Sequence, residues 1–69
     1  MVDKTDYRLA QIIESILEVA DERMLEESSP YVNGELIGYA EALTIIQEQL
    51  TDEERKKYRL DFDIDKKYL

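Results

Sequence analysis

Residues 5–27 read TDYRLAQIIESILEVADERMLEE, and this stretch decides the fold. It holds no Gly or Pro and is rich in Glu, Leu, Ala, Gln and Arg, so it predicts a first helix over about residues 5–28. Thr5 or Asp6 can cap it, since either side chain offers an oxygen to the free N–H groups of the first turn. At about 100° per residue, Leu9, Ala10, Ile12, Ile13, Ile16, Leu17, Val19, Ala20 and Met24 gather in one arc of roughly 180°. Glu14, Glu18 and Glu22 lie opposite. A single helical partner consumes an arc of about 100°, so this helix needs two neighbours.

Downstream, ESSPYVNG at 27–34 collects turn formers, and Pro30 disfavours the helical region at Ser29. Two starts for the next helix are open. Ser29 could cap with Pro30 at the first helical position, but Asn33-Gly34 would then sit inside the helix. The reading adopted is a start near Asn33 and a second helix over about 33–50. Leu36, Ala40, Leu43, Ile46 or Gln47, and Leu50 mark one face, with Tyr39 beside it. Gly34, Gly38 and Ala42 recur every four residues on a second face, flanked by Ile37 and Ile45, and leave a shallow groove for another helix.

Thr51-Asp52-Glu53-Glu54 is a capping box, with Thr51 reaching forward and Glu54 reaching back, and it opens a short third helix over about 52–59. Its charged run to Lys57 has no apolar stripe to bury. Leu60-Asp61-Phe62-Asp63-Ile64-Asp65 then alternates with period two, which predicts an extended arm over 60–69 that docks Leu60, Phe62 and Ile64 on helices, its end at Tyr68 and Leu69 frayed.

Composition narrows the chemistry. The chain has 69 residues with 17 acids, 9 bases and no Cys or His, for a net charge of −8. Thiol nucleophiles, disulfides, imidazole catalysis and thiolate or imidazole metal sites are therefore excluded. The negative charge argues against nucleic acid and anionic membranes as partners and is compatible with a basic protein partner. No stretch has the roughly 18 consecutive apolar residues of a membrane span, and no secretory leader is recognisable, so a cytoplasmic location is expected.

The charge is also uneven. Residues 1–54 carry 14 acids and 3 bases, whereas residues 55–69 carry 6 bases and 3 acids. The basic tail is expected to neutralise acidic helices rather than to bind nucleic acid. Glu14, Glu18, Glu22 and Glu26 form a ridge of like charge, either solvated or awaiting a basic partner. Asp61, Asp63 and Asp65 mimic the start of a calcium loop, but Lys66 stands where that loop requires Gly and the twelfth position lies past Leu69. The serines have no base, and Gly34 and Gly38 do not belong to a phosphate loop. No catalytic, cofactor or metal residue is assigned, and no enzyme activity is expected.

Below about 70–80 residues a single core rarely supplies more than about 3–5 kcal/mol, and the usual supplements are disulfides, metals or association. Association is the one compatible with this composition and with two apolar arcs wider than one contact. The expected architecture is thus a single all-α domain over 1–69, a hairpin of two long antiparallel helices that dimerises into a four-helix core, with the third helix and arm lying across it. Its expected dimer interface draws on Ile12, Val19, Gly38, Ala42 and Ile45. The competing architecture is a monomer closed by the third helix and arm. The expected function is that of a small interaction protein, an adaptor or regulator, presenting Glu14, Glu18, Glu22 and Tyr31 to a partner. The alternative is an acidic inhibitor or immunity-type protein that occupies a basic site on a target.

Overall fold

Four helices follow one another in the computed structural model, which describes residues 4–69, with side chains from Tyr7 onward. They are α1 (Lys4–Met24), α2 (Pro30–Glu48), α3 (Asp52–Lys57) and α4 (Ile64–Tyr68). No strand occurs among the described residues. The short link between α1 and α2 turns the chain back on itself, so the two long helices pack as an antiparallel hairpin, and α4 packs on α2.

The helix ends differ from the sequence expectation at both ends of α1, at both ends of α2, which stops at Glu48, and at the end of α3. The chain is already helical at Thr5 and Asp6, so neither is the N-cap; their side chains lie outside the described residues. At its other end α1 stops at Met24 rather than near Ser28. Tight turns close it, with Leu25 N–H donating to Glu22 O (3.1 Å) and Glu26 N–H to Arg23 O (3.2 Å), and Leu25 is left 88% exposed. The residues released form the link that lets Ser29 cap the next helix.

α2 begins at Pro30, not Asn33. Ser29 is extended (φ −153°, ψ 161°), as a residue before proline prefers, and its side chain accepts from Val32 N–H at 3.1 Å. Pro30 fills the first helical position, where its missing N–H is not needed. Asn33 N–H donates to Ser29 O at 2.8 Å. One internal glycine costs about 1 kcal/mol, which a serine cap and a well-placed proline offset. A Cβ built on Gly38 meets nothing within 4 Å. Gly38→Ala is therefore expected to raise stability by about 1 kcal/mol in urea melts; a loss would mean that a neighbour occupies that space.

α3 opens on the expected capping box. Glu54 N–H donates to Thr51 Oγ1 (3.2 Å) and Thr51 N–H to Glu54 Oε1 (3.0 Å). None of its residues is buried. It ends at Lys57, two residues before the expected Arg59, because Arg59 takes a left-handed conformation (φ 60°). Leu60 N–H then reaches back to Arg55 O (2.7 Å) and Arg59 N–H to Lys56 O (3.2 Å), a Schellman turn. This turn drives Leu60 into the core, where it is fully buried.

The expected extended arm is extended only as far as Asp63. Leu60 and Ile64 are buried and Phe62 is half-buried, so the alternation does select the inward residues. Asp63 then accepts from Lys66 N–H (3.1 Å) as an N-cap and starts α4. Tyr68, expected to fray, is buried instead. The core unites Ile13 and Ala20 of α1, Val32, Leu36, Ala40 and Leu43 of α2, and Leu50, Tyr58, Leu60, Ile64 and Tyr68.

Candidate interaction surface

A flat hairpin has two broad faces, and the C-terminal segment covers one of them. Tyr68 donates its hydroxyl to Asp21 Oδ1 of α1 at 2.8 Å, and Lys67 Nζ approaches the same oxygen at 3.2 Å. Lys67 also lies over the rings of Phe62 (5.1 Å) and Tyr68 (5.0 Å). Burial, followed by the hydrogen bond to Asp21, pushes the Tyr68 phenol above its ordinary pKa, which keeps its proton in place for Asp21. A base of the tail thus neutralises an acid of α1 within the same chain.

The crossing back to that face is pinned by Gln47 of α2. Its side-chain amide donates to Leu60 O at 2.8 Å and to Phe62 O at 2.9 Å, while Arg55 Nε donates to Gln47 O at 2.9 Å. Farther along, Tyr58 and Arg59 share an open hollow of about 430 Å³ with Glu14, Leu17, Glu18, Asp21 and Glu22 of α1.

On the other face of the hairpin neither α3 nor α4 makes a principal packing contact; among the described residues the main element contacts are α1 with α2 and α2 with α4. On α1 the stripe is Ile12, Ile16, Val19 and Arg23, spaced by four, three and four residues. Asp21 follows Ile12 by nine residues, two and a half turns, and so points the opposite way. On α2 the matching stripe is Glu35, Tyr39, Ala42, Ile46 and Gln49. An ion pair joins the stripes at one end, Arg23 Nε to Glu35 Oε2 at 3.0 Å, and Arg23 is also held by Glu26 at 2.8 Å. Ile12 is 53% exposed, while Ile16, Val19, Tyr39, Ala42 and Ile46 are partly buried, Ile16, Tyr39 and Ile46 being packed against the core at their inner sides. The second oxygen of Glu35, Oε1, is buried without a hydrogen-bond partner.

The residues singled out from sequence are distributed over this frame. Ile12, Val19 and Ala42 lie on the open face. Gly38 is exposed on the outer edge of α2, and Ile45 lines a separate hollow there with Ile37, Thr44, Asp65 and Leu69. Glu14, Glu18 and Glu22 are exposed along the outer side of α1, and Tyr31 is exposed in the first turn of α2. The sequence reading does not place Tyr39, Ile46, Glu35 and Gln49 on this face. The signal available was their spacing, which continues the Ala42 stripe in both directions along α2.

No family model matches the chain, and no curated protein or solved structure is significantly similar to it. Among the described residues no group of three or more acids is placed to hold a metal ion, and no helix is long and apolar enough to cross a membrane.

Proposed function

We propose that this chain is a small acidic protein-interaction module of the cytoplasm, an adaptor or regulator without catalytic activity, which completes its core by two-fold association into four long helices. The observation that carries this reading is the face of the hairpin on which Ile12 is exposed and Ile16, Val19, Tyr39, Ala42 and Ile46 are only partly buried. Apolar surface of this kind gains about 25 cal/mol for each Å² removed from water, and a chain of this size has a small core of its own. The absence of His and Cys supports a non-catalytic role.

Sedimentation equilibrium from micromolar to hundred-micromolar protein tests the reading. A mass twice that of the 8.2 kDa chain is expected. A monomer throughout overturns self-association and leaves the face to a different protein.

The exposed acids Glu14, Glu18 and Glu22 favour a second reading, an inhibitor or immunity-type protein that occupies a basic site on its target. Its binding would weaken steeply with salt, and reversal of those three charges would abolish it.

A further inference from the structure

We propose that two copies meet through the open hairpin face in an antiparallel two-fold arrangement, centred between Ser15 and Ile16 on α1 and between Ala42 and Leu43 on α2. This inference rests on the self-association reading and specifies its register. The face is close to palindromic. Ile12 and Val19 stand equally far on either side of the α1 centre, and Tyr39 and Ile46 equally far on either side of the α2 centre. The two centres also lie abreast. Starting from the Arg23–Glu35 ion pair, the same number of residues leads back along α1 to one centre and forward along α2 to the other. A two-fold axis through both centres and across the helices reverses each helix onto its own copy, so Ile12 meets Val19 and Tyr39 meets Ile46, each pair twice.

Polar residues at the ends of the face obey the same reversal. Arg8 lies before the α1 centre about as far as Glu22 lies beyond it. Both are exposed, and neither has a side-chain partner among the described residues. The reversal sets Arg8 of each copy beside Glu22 of the other. On α2, Glu35 and Gln49 stand in the same relation. Gln49 is exposed and Glu35 partly buried, and the reversal brings the two to the same end of the face. A complementary pair of charges that the reversal places together is what a second copy of this chain provides.

Arg8→Glu, Glu22→Arg and the double variant test the register by sedimentation equilibrium at low salt. Glu14→Arg serves as the control, because Glu14 lines the same hollow with Tyr58 and Arg59 as Glu22 does but lies on the far side of α1 from the Ile12–Val19 stripe. Each single change suits the helix macrodipole at its own end of α1, so loss of helix is not expected, and circular dichroism checks it. Either single variant is expected to weaken the dimer about tenfold, and the double variant to return it to within about threefold of the parent. Glu22→Arg and Glu14→Arg both reduce the net charge from −8 to −6, which by itself favours association. Weakening by the first and not by the second therefore isolates the contact. A wild-type dimer that is indifferent to Arg8→Glu, or not rescued in the double variant, overturns this register and leaves self-association standing. A wild-type monomer overturns both.

Discussion

Leu43→Ala is expected to destabilise the fold by about 2–5 kcal/mol, enough to leave a large fraction of the chain unfolded at room temperature. Leu43 is fully buried midway along α2, the helix on which both α1 and α4 pack. Truncation removes apolar contact area and leaves a void that rigid neighbours fill only in part. Urea unfolding followed by circular dichroism measures the cost. A loss below about 1 kcal/mol would mean that the site collapses freely, which is incompatible with α2 as the packed centre of the molecule.

Gln47→Leu is expected to cost about 1–3 kcal/mol through a different route. The substitution keeps an apolar stem but removes the one side chain that donates to both Leu60 O and Phe62 O. Two part-buried carbonyls would lose their partner, and the crossing that leads Leu60 and Ile64 into the core would loosen. Hydrogen exchange separates this effect from simple loss of packing. Faster exchange confined to residues 58–69, with α1 and α2 protected, is the expected pattern. Uniform acceleration across the hairpin would show that Gln47 supports the whole core and not the crossing alone.

Much of the fold was legible because its signals are local. The Thr51 capping box and the long apolar arcs act within one or two turns, and no distant residue competes with them. The alternation at Leu60, Phe62 and Ile64 identified the residues that face inward but not their backbone, because a period-two pattern does not register that Asp63 can cap a turn of helix. α2 starts at Pro30 and not at Asn33 because the Ser29-Pro30 cap outweighs the local cost of Gly34 inside the helix. Gln47 was invisible as a pin, since its acceptors are main-chain carbonyls 13 and 15 residues away. Of the apolar residues expected on an outer face, Ile12 is exposed, while Val19 and Ala42 are partly buried. That Gly38 and Ile45 belong to another edge depends on where α4 docks, which only the tertiary arrangement reveals.

α3 buries nothing, yet it spans the distance between the end of α2 and the turn at Arg59. Its identity is therefore metric. Glu53 and Lys56 can drift to other good helix formers with little effect, whereas one inserted residue would swing Leu60 by about 100° and advance it by about 1.5 Å, out of its socket. Among variants of this chain, the segment between Thr51 and Leu60 should hold its length and keep Glu54, Arg55 and the buried Tyr58, while Glu53 and Lys56 vary.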